Sequence, residues 1–121
     1  MDKWTTTKSE SLVDNHWVKI RKDSVVLPNK QKIDDFYVIT INNAAAIVAI
    51  DEEGNCVLKK EYRYCYDRDL IEVPAGTFEE DETDGLVVAK RELLEETGYE
   101  SDEWQYLGAT VESSAKFTNY M

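Results

Sequence analysis

PAGTFEEDETDGLVVAKRELLEETG, residues 74–98, puts a Pro74-Ala75-Gly76 turn ahead of a helical pattern that carries Arg91, Glu92, Glu95 and Glu96. Thr83 or Asp84 suits the N-cap and Gly98 the left-handed C-cap, so one helix is expected between them. At about 100° per residue, Glu92, Glu95 and Glu96 share a sector roughly 100° wide, with Leu86, Leu93 and Leu94 on the opposite side. Such a stripe reads two ways. It is a solvated face, as on most amphipathic helices, or it holds divalent metal. Hard cations such as Mg²⁺ take oxygen ligands and reach a protein through one or two carboxylates, with phosphate oxygens completing the shell. The second reading points to phosphate chemistry.

The charge of the chain is concentrated around this stretch. Of a formal net charge of −11, residues 79–103 contribute most, with eleven acids against Lys90 and Arg91. Bound cations would relieve that repulsion, and nucleic acid is disfavoured as a partner there. Residues 79–82 alone read more naturally as a solvated acidic loop than as metal ligands. The 121 residues, 42% of them hydrophobic, suit one small domain. Cys56 and Cys65 have neither a CxxC nor a metal-ligand spacing, which fits a reducing cytoplasm. The first ten residues are polar, and the longest apolar run, 44–50, is too short to span a bilayer, so no membrane partner is expected. His16, the single histidine, reads as a surface or turn residue; a multi-histidine zinc site and a histidine-paired nucleophile are excluded.

Outward from the helix the pattern is mainly β. Residues 16–21 and 24–27 are short β-rich runs, Pro28-Asn29-Lys30-Gln31 is a turn, and 36–41 is a strand. The apolar run 44–50 predicts a strand buried on both faces. Residues 51–55 turn the chain into a strand at 56–62, and 69–73 and 104–111 read as further strands. The composition changes near Asn42-Asn43, which suggests an N-terminal β extension at 1–43 and a main domain at 44–121.

Arg91-Glu92-Leu93-Leu94-Glu95-Glu96-Thr97-Gly98 resembles the second half of the Nudix box, Arg-Glu-aliphatic-any-Glu-Glu-any-Gly-aliphatic, with Tyr99 in place of the last aliphatic. The first half departs by one residue. Fourteen residues stand between Gly76 and Arg91, one more than in the box, so Glu82 is one place early or Thr83 has its position; the extra residue is assigned to 79–82. Glu61-Tyr62-Arg63-Tyr64 and Leu70-Ile71-Glu72-Val73-Pro74-Ala75-Gly76 are similar to the Gln-Tyr-Arg and Glu-Leu-Pro-Ala-Gly stretches of ADP-ribose pyrophosphatases and related nucleoside-diphosphate-sugar hydrolases. The resemblance implies an α+β fold: a Nudix-type α/β/α sandwich with a mixed sheet, preceded by a small antiparallel sheet through which a homodimer forms.

It also implies roles. Glu92 and Glu96 would be direct ligands of Mg²⁺ or Mn²⁺, with the Ala75 carbonyl as a further one. Glu95 would bind a second metal or orient the first shell, and Glu72 would approach the second metal. Arg91, four residues before Glu95, is a salt-bridge partner for it or an exposed helix arginine. Arg63 is a phosphate clamp, or a structural partner of Glu61, Asp67 or Asp69. Trp17 and Phe36 stack on a nucleobase or pack a core or interface. The implied reaction is metal-dependent hydrolysis of a pyrophosphate bond in ADP-ribose or another nucleoside-diphosphate-linked small molecule.

Family members continue after the strand expected at 104–111 with further strands, a loop that often carries another catalytic glutamate, and a helix. The chain is therefore expected to be truncated, with Ser113-Ser114-Ala115-Lys116-Phe117-Thr118-Asn119 as a substrate-side loop and no assignable general base. Two other readings stand beside the enzyme: a truncated, non-catalytic scaffold that dimerises or binds nucleotide without turnover, and an acidic metal-binding protein.

Overall fold

The structure, a computed structural model, describes residues 2–111, 114, 115 and 118. The chain forms two compact units, residues 1–42 with 109–120 and residues 43–108. The loop expected at 113–119 lies mostly outside the described residues.

The first unit is an antiparallel sheet in the order β1 (Thr5–Asp14), β2 (Lys19–Val26), β3 (Lys32–Thr40). β1 escaped the sequence reading. Apart from Val13 its residues are exposed, so no apolar alternation marks it, and only the ladder from Thr5↔Val26 to Asp14↔Lys19 makes it a strand. β2 joins the two runs that the sequence suggested, with a shift of register against β3 between Asp23 and Val25. In the turn before it, Asn15 Oδ1 accepts the N–H groups of Trp17 and Val18 at 2.9 and 3.0 Å, and His16 is exposed there as expected. The turn at 28–31 also forms, with Lys30 at φ 70° and the Gln31 N–H on Asn29 Oδ1 at 3.0 Å.

The second unit contains two antiparallel ladders, β4 (Ala44–Ala46) with β7 (Ala75–Thr77) and β5 (Lys59–Arg63) with β6 (Arg68–Glu72), and one helix, α1 (Gly85–Thr97). Asp84 caps α1 by accepting the Leu86 N–H at 2.9 Å, and Gly98 ends it at φ 76°. A strand–helix composition of this kind is the α+β class expected. Ile47, Ala89 and Leu93 form the core, with Ala45, Ala49 and Trp104 against them.

Four expectations fail here. Residues 74–76 are not a tight turn, because β7 begins at Ala75 and pairs with β4, Ala45 opposite Gly76. The run 44–50 is not covered on both sides: Ile47 is buried, while Val48 is 60% exposed, since α1 packs against one face of it. Of the three leucines set opposite the glutamates only Leu93 is buried, along with Val88 and Ala89, whereas Leu86 and Leu94 are exposed. No strand forms over residues 104–110. Trp104 packs against the core and its Nε1 donates to the Ser101 carbonyl at 2.8 Å, but residues 105–110 find no ladder partner among the described residues.

Asp23 is a buried carboxylate in the first sheet. Ser9 Oγ donates to it at 2.6 Å and Arg21 Nε at 3.0 Å. The Ser9 hydrogen bond, with the help of Arg21 and against the cost of burial, holds its pKa below the usual carboxylate value. A depressed folded-state pKa contributes stability above the unfolded value and loses it as pH falls through the folded one. Asp23→Asn is therefore expected to be about 1–3 kcal/mol less stable at neutral pH. Denaturant titrations should show that gap closing as pH drops below the ordinary aspartate range.

Candidate functional site

In the second unit α1 lies against β4 and β7, and the helical repeat decides which glutamates face them. Glu92 and Glu96, four apart, lie on one line with Val88, next to the line of Ala89 and Leu93. The buried positions are Val88, Ala89 and Leu93, so Glu92 and Glu96 are on the covered side of the helix. Both carboxylates meet the backbone of β7. Glu96 Oε2 accepts the Ala75 N–H at 3.0 Å. Glu92 fills the space above Gly76, where an added methyl would overlap its carboxyl group. Glu95 is 59% exposed and, among the described residues, makes a long contact to Arg91 at 3.4 Å.

Arg91 ties this side of the helix to the preceding loop. Its Nε and Nη2 donate to the two oxygens of Glu82 at 3.0 and 2.8 Å, its Nη1 to Glu92 Oε1 at 2.6 Å, and Nη2 also to the Thr77 carbonyl at 3.3 Å. Glu82 accepts the Glu79 N–H as well, at 2.8 Å. The Arg91 bonds, then that N–H, pull the Glu82 pKa below its usual value, and Glu82 in turn raises that of Arg91. The solvated-loop reading of 79–82 is thus corrected for Glu82. The residue six places beyond Gly76, with five between as in the Nudix pattern, is the one that grips Arg91, so the extra residue falls between Glu82 and Arg91, where the chain turns into the Asp84 cap. Arg91 is no free surface arginine, and its main partner is Glu82 rather than Glu95.

The face of β5 that alternates with its outward side carries Lys59, Glu61 and Arg63. Lys59 Nζ bonds Glu61 Oε2 at 2.5 Å and Glu96 Oε1. Burial disfavours the charged Lys59, but its bonds with Glu61 and Glu96 outweigh that and raise its pKa. Arg63 Nε lies 3.1 and 3.0 Å from the two oxygens of Glu72, and Arg63 Nη1 is 3.3 Å from Glu61 Oε1. The bonds that Arg63 donates to Glu72 lower the Glu72 pKa. Arg63 is therefore ion-paired here, with Glu72 and Glu61 and not with Asp67 or Asp69. Asp67 instead accepts the Tyr62 hydroxyl at 2.9 Å. Lys59 and the Glu72 pairing were missed, although the period-2 order Lys59, Glu61, Arg63 already places three charges on one face of a strand.

Hard oxygen donors suit Mg²⁺ or Mn²⁺. Glu92 and Glu96, brought to adjacent backbone positions over a glycine that leaves room for them, fit such an ion as a two-carboxylate site. Among the described residues no group of three or more His, Cys, Asp or Glu side chains converges as a metal cluster, consistent with Glu95 standing apart. The contact seen at Ala75 is through its N–H. Trp17 and Phe36 belong to the first unit: Trp17, 77% exposed, meets His16 edge-on at 4.9 Å, and Phe36 meets Trp4 at 5.5 Å.

Because Glu82 and Arg91 bond in two-pronged fashion, removing either leaves the other without its partner. Glu82→Gln and Arg91→Met should each lower the melting temperature. The double variant should fall no further than the worse single one, a non-additivity that thermal melts of the four proteins will read.

The sequence matches the model of the NUDIX domain over residues 40–120 and that of the nucleoside diphosphate sugar hydrolase N-terminal domain over residues 4–39. Similar proteins include a methanol dehydrogenase activator of Bacillus methanolicus, 37% identical over 102 residues that cover 84% of this chain and 54% of the relative. An ADP-ribose pyrophosphatase of Mycobacterium tuberculosis is 34% identical over 107 residues, 84% of this chain and 49% of that protein. The chain spans about half the length of these relatives. A crystal structure of an ADP compounds hydrolase superposes on the whole chain with a TM-score of 0.83 at 18% identity, over 65% of its own length, which shows a shared fold. The motif seated on β7 and the matched domain model lead to the same place: this chain belongs to the Nudix family.

Proposed function

We propose that the protein catalyses the divalent-metal-dependent hydrolysis of a pyrophosphate bond in ADP-ribose or a related nucleoside-diphosphate-linked molecule. The observation that carries this reading is the convergence of Glu92 and Glu96 on the backbone at Ala75 and Gly76. The relatives named ADP-ribose pyrophosphatase support the substrate class. Mg²⁺ or Mn²⁺, when bound, would neutralise charge on the phosphoryl oxygens, where the barrier to phosphoryl transfer mainly lies.

The chain's own residues supply the rest. Glu92 and Glu96 would hold the ion, and the Ala75 N–H orients Glu96. Arg91, gripped by Glu82, fixes the Glu92 carboxylate, with Glu95 at the edge of the site as an outer carboxylate. Arg63 meets substrate phosphate by exchanging one of its carboxylate partners for it, and Glu72 is left as a further acidic group. Trp17 and Phe36 stack on the base, brought to it by a homodimer built through the N-terminal sheet of residues 1–43. Both cysteines are exposed and free, which agrees with a cytoplasmic setting. Among the described residues no helix is long and apolar enough to cross a membrane. A second reading, a scaffold that binds nucleotide without turnover, draws on the relative named as an activator of another enzyme.

Three measurements follow. Glu92→Gln and Glu96→Gln should each reduce Mg²⁺-dependent turnover on the order of a hundredfold or more, and Glu95→Gln about tenfold, with circular dichroism unchanged. In a panel of ADP-ribose, other nucleotide sugars, dinucleoside polyphosphates and nucleoside triphosphates, ADP-ribose or a close analogue should rank first, releasing a nucleoside monophosphate and a sugar phosphate. Preference for triphosphates would overturn the substrate, and nucleotide binding with no product from any compound would favour the scaffold. Light scattering should read a dimer.

A further inference from the structure

If Glu92 and Glu96 take a divalent cation, one side chain already occupies a cation's place. Lys59 reaches in from β5 with its side chain only 11% exposed, and its ammonium bonds Glu61 and Glu96 together. The other Glu96 oxygen receives the Ala75 N–H, so both oxygens of this carboxylate are engaged. We propose that Lys59 is a tethered counter-ion that competes with the divalent cation for Glu96 and thereby sets how tightly the site binds metal.

The competition follows from charge and tether. An ion on Glu96 has to displace the ammonium from Oε1 or sit beside it, and a unit charge next to a doubly charged ion is strongly repelled where water is partly excluded. The ammonium does not have to leave the site altogether. Glu61 lies two residues on, on the same face of the strand, and holds Lys59 at 2.5 Å, so the group can swing from Glu96 onto Glu61 alone. Arg63 backs that position, at 3.3 Å from Glu61. Without metal, Lys59 spares the Glu96 carboxylate from standing uncompensated next to Glu92. With metal, it is the group that has to yield.

This inference rests on the metal-site reading above, and the test separates the two. Mn²⁺ affinity is measured by titration calorimetry without substrate for the wild type, Lys59→Met, Lys59→Gln, Lys59→Arg, Glu96→Gln and Lys59→Met/Glu96→Gln, alongside metal-free and metal-loaded thermal melts. The neutral Lys59 variants should bind Mn²⁺ about tenfold or more tightly than wild type. They should also melt lower without metal and gain more on adding it. Lys59→Arg, which keeps the charge, should stay within about threefold of wild type, and the double variant should lose the gain. Equal or weaker binding by both neutral variants, with wild-type binding still lost in Glu96→Gln, overturns the role of Lys59 and leaves the metal site standing. Absence of Mn²⁺ binding in every protein, the neutral variants included, overturns both.

Discussion

The second unit depends on a conflict built into one helix. The face of α1 that packs on β4 and β7 through Val88, Ala89 and Leu93 also carries Glu92 and Glu96. Burying apolar surface draws the helix onto the strands, and the same movement takes two carboxylates out of water. Charges moved in this way need partners. The local structure is arranged to provide them: a glycine at position 76 leaves room for one carboxylate, the Ala75 N–H receives the other, and Arg91 and Lys59 bring positive charge from the helix and from β5.

These partners form a relay and not a set of separate pairs. Glu82 holds Arg91, Arg91 holds Glu92, Glu96 shares Lys59 with Glu61, and Glu61 shares Arg63 with Glu72. A cation entering near Glu92 and Glu96, as proposed, would change the balance along the relay, because each positive side chain has another carboxylate to turn to. The pairs at Arg91 and Lys59 are the less exposed ones, and a shielded ion pair is no large source of net stability. Under the proposed function, such pairing would hold the positive groups close to the site until an anionic substrate arrives.

The first unit solves a different problem. Its outer strand β1 has almost no buried side chains and is held by main-chain pairing and by contacts such as Ser9 on Asp23. A buried carboxylate at position 23 helps to fix the register of β1 on β2, because a slip of one residue would turn Ser9 to the other face and leave Asp23 without that bond.

The sequence by itself determined the helix, its Gly98 end and its start at Thr83 or Asp84, the period that groups the glutamates, the family to which the motif belongs and the strands at β5 and β6. These are local properties, set by residue spacing, capping and turn chemistry over a few positions. Tertiary structure alone decided that Glu92 and Glu96 face β7 while Glu95 does not, since the apolar face was narrower than the leucines suggested and the line through Val88 turned inward. It decided that Glu82 is Arg91's partner across an inserted residue, that residues 75–77 form a strand, and that Lys59 reaches Glu96 across 37 residues of sequence. It also decided that β1 exists and that 104–110 pairs with nothing among the described residues. Each of these outcomes rests on what stands opposite a residue in space, and a strand without an apolar face or an ion pair between distant segments leaves no periodic trace in the chain.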